Sequence, residues 1–322
     1  MTICYGKQVP FLNDYLKVPC MKRLQGVGMN CGMNYTSFPI FKNIPFYSRY
    51  QHSLGCAIAT YHFTHDKLQT LASLFHDVAT PVFAHTIDFM TGDYLHQEAT
   101  EKNTTTLLQN DAILMALLER DHIKLSQIDN YHIYPICDNK TPRLSIDRLE
   151  YTLDNAYYYG FASPGTLQAC FDDLYVGHNE DGEKELTFAH EDIALTFALL
   201  ALQCGHVYMS DNDRYSMDRL GRLTKKALEE GIITMKDLYT TEDLVIAKLK
   251  DAYLKEWQDF THLDHLDDHP TNGRMIVSKK RYIIPLVDGS RLNHPRFLEA
   301  LEAFQNFSFD HLLAAEDDFN GA

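Results

Sequence analysis

The sequence has few of the features expected of a secreted or nucleic-acid-binding protein. Its seven cysteines are an odd number, are scattered and never form a C-x-x-C spacing, which argues against a disulfide framework or a structural zinc site. Basic residues are scarce: 29 Lys and Arg against 44 Asp and Glu give a formal charge of −15. We therefore expect no broad surface for nucleic acid or an anionic membrane. A phosphorylated small molecule remains compatible, because a local cationic pocket or a bound metal can reverse the field.

Long hydrophobic runs are also missing, and we expect no leader segment. The longest apolar run, "IALTFALLALQC", is too short to cross a bilayer. The start, "MTICYGKQVPFLNDYLK", has no basic segment followed by an apolar one. We therefore expect a cytoplasmic protein without a membrane partner, and the 45% apolar content is ample for a packed core.

Apolar residues recur with helical period through most of the chain, which predicts a mainly α fold. The stretch "LYVGHNEDGEKELTF" alternates around Asp181-Gly182 and predicts a β-hairpin. "MIVSKKRYIIPLV" predicts an edge strand, since Pro285 suits a central strand poorly. The predicted helices cover residues 52–65, 66–77, 95–120, 145–159, 190–209, 213–230 and 241–260.

The chain is expected to divide into a core and an extension. We predict a helical core with its N-terminal segment over residues 1–230, and a mixed C-terminal part over 231–322 that packs on it. "HLDHLDDHPTNG" (262–273) is the best candidate for a boundary, because charge, Pro and Gly are concentrated there.

Two histidines and two aspartates form a set suited to a divalent metal. His76 and Asp77 follow a helix whose apolar stripe ends at Phe75, so at least one of them is drawn inwards, where a titratable group needs a partner. His52 lies at the head of another amphipathic helix, and Asp147 lies far downstream. Mixed N and O ligands from separate helices suit a transition metal held inside a bundle. The alternative is a backbone-bonded histidine beside a capping aspartate.

One helix face adds to this pattern. Asp147, Tyr151 and Asn155 are spaced i, i+4 and i+8, so they share a face away from the apolar side. That face could present a metal ligand, a phenol and an amide to one bound molecule. An ordinary solvated face is the alternative.

In sequence order these residues form blocks that resemble the HD superfamily of metal-dependent phosphohydrolases. The signature H…HD…D corresponds to His52, His76-Asp77 and Asp147. "RYQHSLG", "HDVATPVFAH", "YLHQEA" and "DRLEYTLDN" look like successive blocks of the deoxynucleoside triphosphate triphosphohydrolase branch, with the likeness covering roughly residues 15–230. The resemblance implies an HD-domain helical bundle, one divalent ion (Mn, Fe, Ni, Zn or Mg), a nucleotide or related phosphorylated substrate, and a homodimer.

The resemblance also implies roles for individual residues. The metal ligands would be His52, His76, Asp77 and Asp147. The substrate-binding residues would be Arg49, Arg148, Tyr151, Asn155 and Tyr215. The catalytic residues would be His85, Asp88 and His96, with His96 as the proton donor to the leaving group and Asp88 orienting it. A metal lowers the pKa of its water towards about 7, which yields hydroxide as nucleophile, while a histidine protonates the departing oxygen.

Three departures from the branch leave alternatives open. Ala79-Thr80 occupies a usual Gly-His position, Asn155 occupies an aspartate position, and "MSDNDRY" (209–215) is acidic where the branch is basic. The number of substrate phosphates is therefore not determined. A nucleotide-binding sensor without turnover is one alternative, and a two-metal enzyme using His85 and His96 for a second ion is another.

Overall fold

The fold is known from a computed structural model, which describes residues 3–91, 103–268, 270 and 272–315. Helices dominate these residues, as predicted. In chain order the α-helices are α1 (Leu12–Tyr15), α2 (Pro19–Arg23), α3 (Arg49–Thr64), α4 (Lys67–Phe75), α5 (Thr86–Thr91), α6 (Thr104–Gln109), α7 (Ala112–Arg120), α8 (Ile146–Tyr158), α9 (Pro164–Asp172), α10 (Glu191–Tyr208), α11 (Asp211–Glu229), α12 (Glu242–Ala252), α13 (Leu254–Thr261) and α14 (Pro295–Gln305). Short 3-10 helices occur at Leu24–Gly26, Met33–Tyr35, Leu125–Gln127, Tyr131–Ile133 and Asp237–Tyr239.

A small sheet joins the middle of the chain to its C-terminal part. Its strands are β1 (Leu174–His178), β2 (Lys184–Phe188), β3 (Leu286–Val287) and β4 (Ser290–Arg291), in that spatial order. The predicted hairpin is confirmed: β1 and β2 pair antiparallel, and Gly182 adopts a positive φ of 76° in their turn.

The edge-strand prediction for residues 275–287 is wrong. Only Leu286–Val287 are in a strand, and that strand lies inside the sheet, parallel to β2 and antiparallel to β4. Pro285 directly precedes β3, so its missing N–H removes no ladder bond, and its carbonyl accepts from the Leu292 amide at 2.9 Å.

Capping residues set the helix bounds near the site. Ser48 caps α3 in a capping box with Gln51, so the helix begins three residues earlier than predicted and includes Arg49. Asp66 caps α4 through its carboxylate, which accepts from the amides of Leu68 and Gln69. His76 ends α4, so Asp77 stands just beyond the helix.

Two long predicted helices are interrupted. Within the described part of 95–120, α6 and α7 are separate because Asp111 caps α7 by accepting from the Leu114 amide. The predicted 241–260 helix breaks at Tyr253, whose φ of −136° and ψ of 52° are not helical. At the break the Tyr253 hydroxyl donates to Glu230 at 2.6 Å.

Three apolar clusters form the interior, and residues beyond 230 belong to the two largest. α8, α10 and the sheet share one cluster with α14, and α11 shares the second with α12 and α13. The third lies among α1, α4 and α7. The division at residue 230 remains a prediction.

Across the described ranges no single helix is both long and apolar enough to cross a membrane; α10 and α11, bent by 46°, pass only as a pair and on length and composition alone.

Candidate metal centre and active-site cavity

Helices α3, α4 and α8 bring the four predicted metal ligands to one point. Nε2 of His52 lies 3.2 Å from Nε2 of His76 and 3.0 Å from Oδ1 of Asp147. The same Asp147 oxygen is 3.6 Å from Nε2 of His76. Oδ2 of Asp77 is 3.6 Å from His76 Nε2 and 3.9 Å from His52 Nε2. Donor atoms bound at about 2.1 Å around one ion are themselves about 3.0–3.5 Å apart, so the spacing fits a shared cation.

The hydrogen bonds behind both histidines favour the tautomer that a metal needs. Nδ1 of His76 lies 2.7 Å from the Ser73 carbonyl, which can only accept, so Nδ1 carries the proton. Nδ1 of His52 is held by the buried carboxylate of Glu150. In both neutral rings the lone pair is then on Nε2, the atom that faces the cluster.

Asp77 presents an unsatisfied oxygen to the cluster. Its Oδ1 accepts from Nη1 of Arg49 at 2.7 Å and from the Thr80 hydroxyl at 2.9 Å. Its buried Oδ2 has no hydrogen-bond partner in the described chain. Burial alone would raise the pKa of Asp77, but the positive charge of Arg49 and the nearby histidines lower it to about 2. A buried anionic oxygen without a donor is costly, and a bound cation would remove that cost.

Cys56 also lies close, because it is one helical turn after His52. The groups His52, Cys56, His76 and Asp147 offer ligand atoms within 4.8 Å of one another. The Cys56 sulfur, however, is 3.7 Å from Nε2 and 3.8 Å from Nδ1 of His52, so it lies beside the ring. An ion bound by Nε2 must lie beyond that atom, along its lone pair. The spacing therefore favours Asp77 over Cys56 as the fourth ligand, and this choice remains a prediction.

A buried acidic network supports His52 from behind. The hydroxyl of Tyr47 donates to both oxygens of Glu150, at 2.6 and 2.7 Å. Gly55 makes room for this carboxylate, since a Cβ there would lie 2.4 Å from Oε1 of Glu150. Sequence reasoning missed Glu150, although its i+3 spacing from Asp147 in "DRLEYTLDN" was a signal.

The cluster opens onto a cavity of about 420 Å³. Of the residues predicted to bind substrate, Arg49, Arg148, Tyr151 and Asn155 line it. The Nε of Arg49 is buried and has no hydrogen-bond partner in the described ranges. Asn155 donates to the Tyr208 hydroxyl at 2.7 Å.

Arg148 is largely engaged with the loop before α8. Its Nη1 donates to the Asn139 side chain at 2.8 Å and to Ser145, and its Nη2 donates to the Asn139 carbonyl at 2.5 Å. Asp138 forms an ion pair with it at 3.2 Å. In the structure these bonds connect the Arg148 side chain to the loop before α8. A phosphate contact from Arg148 remains a prediction.

Of the three predicted catalytic residues, the structure describes His85 and Asp88. His85 lines the cavity with its side chain 24% exposed, and its Nδ1 donates to Asp88 at 3.0 Å. Burial lowers the pKa of His85, and the Asp88 hydrogen bond opposes that effect. His96 lies outside the described residues, so the expected Asp88–His96 contact remains a prediction.

Tyr215 does not line the cavity. It is fully buried in the cluster of α11, α12 and α13. Asp213 and Met217, four residues apart on α11, face the cavity instead. At 100° per residue Tyr215 lies on the opposite side of the helix from both, so the predicted contact of Tyr215 with substrate finds no support in this cavity.

Thr80, at the position of the absent histidine, is also fully buried. Its hydroxyl donates to Asp77, so it acts on a predicted ligand rather than on the cavity. The cavity is also lined by a basic segment to which sequence reasoning gave no functional role. It consists of Lys279, Lys280 and Arg281. The signal was three consecutive cations in an acidic chain.

Comparison with known proteins gives two distant relatives. No protein-family model matches the chain. It is 21% identical to the uncharacterized protein YdhJ of Bacillus subtilis over 203 residues, which cover 63% of this chain and only 61% of that protein. It is 23% identical to the metal-dependent phosphohydrolase cns2 of Cordyceps militaris, over 92% of this chain and 82% of that protein. The chain is thus similar over most of its length to a metal-dependent phosphohydrolase, and it carries a cluster able to hold a metal ion.

Proposed function

We propose that this protein is a metal-dependent phosphohydrolase that hydrolyses a phosphate ester of a nucleotide or a related phosphorylated metabolite. The observation that carries the proposal is the convergence of His52, His76, Asp77 and Asp147 within one cavity, with a buried oxygen of Asp77 facing the point of convergence. The similarity to a metal-dependent phosphohydrolase over 92% of the chain supports it.

The protein would supply two histidine nitrogens and two carboxylate oxygens as ligands of the ion. A bound divalent cation supplies a Lewis acid for a phosphoryl oxygen and lowers the pKa of a coordinated water. His52 and His76 are oriented by Glu150 and by the Ser73 carbonyl, which hold Nδ1 of each ring and leave Nε2 facing the cluster. Two carboxylates balance the charge of the ion.

Arg49 is suited to hold the phosphoryl group. Its Nη1 donates to Asp77, which fixes the guanidinium beside the ligand set, and its Nε remains available for an anionic oxygen. Charge that develops on the phosphoryl oxygens during the reaction would strengthen these bonds.

His85 is the described histidine suited to give a proton to the departing oxygen. Asp88 holds its Nδ1, which directs Nε2 away from that bond. Burial keeps the ring neutral near pH 7, and an approaching phosphoryl dianion would raise its pKa. His96 stays in the proposal as the donor that the family resemblance favours.

The test begins with the metal. The purified protein is analysed for bound transition metals, and a panel of nucleotides and sugar phosphates is screened for released phosphate, pyrophosphate or triphosphate. We expect about one ion per chain and phosphate release that Asp77→Asn abolishes. Retention of metal without turnover of any compound would instead support the sensor, and two ions per chain would support the two-metal enzyme.

Cys56→Ala is the matched control for the ligand set. Cys56 and Asp77 are both buried beside the two histidines. Asp77 places an oxygen near Nε2 of His52 and of His76, whereas the Cys56 sulfur lies beside the His52 ring. We expect Cys56→Ala to keep its metal and Asp77→Asn to lose most of it. The reverse result would assign the fourth ligand to Cys56.

A further inference from the structure

A buried glutamate after residue 230 accepts hydrogen bonds from two segments that contribute to the cavity. Glu242, at the start of α12, is 2% exposed and is not among the cavity-lining residues of the described chain. Its Oε1 accepts from the backbone amides of Gly28 at 2.9 Å and Phe83 at 3.3 Å. Its Oε2 accepts from the Tyr35 hydroxyl at 2.7 Å. Donors from two distant segments thus meet on one carboxylate, and their bonds offset the cost of its burial.

The first of these segments is the 28–35 loop, which Glu242 holds at both ends through Gly28 and Tyr35. Several residues between these ends line the cavity: Met29, Asn30, Cys31 and Met33. Cys31 has a φ of 51°, a value that is unfavourable for a residue with a Cβ and persists only where surrounding contacts impose it. Bonds at both ends of the loop are contacts of this kind.

The second segment runs from Asp77 to His85 and joins a predicted metal ligand to a predicted proton donor. Phe83 and Ala84 both have positive φ values, of 60° and 46°. This conformation costs free energy at residues with a Cβ, so contacts with other parts of the chain must hold it. The bond from the Phe83 amide to Glu242 lies two residues before His85, and it therefore constrains the direction in which the backbone enters His85.

Other contacts hold the second segment against the residues that lead into α12. The Val82 amide donates to the Leu238 carbonyl at 2.8 Å. Arg23 donates to the Thr80 carbonyl at 2.7 Å and to the Thr240 carbonyl at 3.2 Å, so it connects the same two stretches. The segment is thus supported along its length from the part of the chain that contains Glu242.

We infer that Glu242 is a positioning residue. By holding the 28–35 loop and the Phe83 amide, it fixes one wall of the cavity and the place of His85 in it. The inference deepens the proposed function, and it rests on that function where it concerns proton transfer by His85. It gives a role in the site to a residue beyond the family resemblance, which covers roughly residues 15–230.

Hydrogen exchange tests the positioning without any need for turnover. Mass spectrometry follows peptides that cover residues 27–36 and 81–86, with α10 as the internal reference. In Glu242→Ala we expect exchange in both peptides to become at least about tenfold faster relative to α10, because the two amides lose their acceptor. Glu242→Gln keeps an acceptor oxygen and should restore much of the protection.

Glu185→Gln is the matched control. Glu185, on β2, is fully buried and accepts from the Leu144 amide at 3.0 Å, so this variant also perturbs a buried carboxylate that holds a backbone amide. Within the described chain its hydrogen bonds lead to residues outside both segments. We expect Glu185→Gln to leave exchange in the two peptides unchanged relative to α10.

A comparison of two leaving groups tests the effect on the proposed reaction. An alkoxide needs a proton when it departs, whereas 4-nitrophenolate departs readily without one. We expect Glu242→Ala to lower kcat at least about tenfold for the best nucleoside monophosphate of the screen, and much less for 4-nitrophenyl phosphate. Bound metal should be unchanged, because none of the three Glu242 bonds reaches a predicted ligand. A general loss of structure would lower both rates alike.

The outcomes separate this inference from the proposed function. Exchange that is equal in Glu242→Ala and Glu185→Gln overturns the inference, whatever the activity. Faster exchange with equal losses for the two leaving groups overturns the action through His85. If no phosphate ester is hydrolysed, the proposed function fails, and the exchange data alone decide whether Glu242 holds the walls.

Tyr35→Phe provides a second variant if Glu242→Ala does not fold, as judged by thermal unfolding. It removes one of the three bonds to Glu242 and keeps the aromatic ring. Exchange in residues 27–36 must then become faster relative to α10 and to Glu185→Gln. Unchanged exchange in that peptide would overturn the inference.

Discussion

The buried carboxylate of Asp154 gives the prediction with the most direct magnitude. Asp154 lies on α8 one turn after Glu150 and is 1% exposed. Its Oδ1 accepts from the Tyr5 hydroxyl at 3.3 Å, while its Oδ2 has no partner in the described ranges. Burial, followed by the negative charge of Glu150, raises the pKa of Asp154 to about 7.

This shift predicts that Asp154 destabilises the protein as the pH rises. The native state keeps the proton up to about pH 7, whereas the unfolded chain releases it near pH 4. The native state therefore binds more protons in this window, and the free energy of unfolding falls between about pH 4 and pH 7 by up to about 4 kcal/mol. Asparagine cannot ionise, so Asp154→Asn should be more stable than wild type at pH 8 and nearly equal to it near pH 4.

Urea unfolding at pH 4.5 and at pH 8, in buffers of equal ionic strength, measures the difference. Asp251→Asn, an exposed site on α12, controls for the general effect of removing one carboxylate. We expect a gain at pH 8 for Asp154→Asn and a small change for Asp251→Asn. If the two variants respond alike to pH, the buried carboxylate does not carry the cost assigned to it.

Three further predictions concern the network behind the metal centre. Glu150→Gln should weaken metal binding by about 10- to 100-fold, measured by competition with a chelator, because the charge that orients His52 is lost; unchanged affinity would contradict this role. Gly55→Ala should lower the free energy of unfolding by about 1–3 kcal/mol in denaturant titration, since its Cβ would collide with Glu150. Removal of the metal should lower the thermal midpoint. If the free metal concentration was 100 times its Kd, the free energy of unfolding falls by about 2.7 kcal/mol. An unshifted midpoint in chelator would argue against a bound ion.

Local patterns in the sequence were sufficient for most of the helices, whereas the metal-ligand set remains a prediction. Hydrophobic period and capping act within one or two turns, so α8, α10, α11 and the hairpin of β1 and β2 could be predicted. Several errors were also local. Ser48 and Asp111 are residue types that cap helices, and the prediction did not use them. Ser48 makes α3 begin earlier than predicted, and Asp111 begins a separate helix within the predicted 95–120 range.

The cavity walls depended on contacts between distant residues. No local rule places Lys279 and Arg281 beside α10, since that requires Gly205 to admit the Arg281 carbonyl. Likewise, Tyr215 is buried and Asp213 faces the cavity because of how α11 packs against its neighbours.

The sequence by itself determined which residue types could hold a metal and which segments would be helices, because both follow from side-chain chemistry and short-range spacing. The tertiary structure alone decided that Glu150 holds His52 and that a C-terminal segment completes the cavity. Those relations depend on packing between residues that are distant in sequence, and such packing is fixed only when the whole interior is assembled.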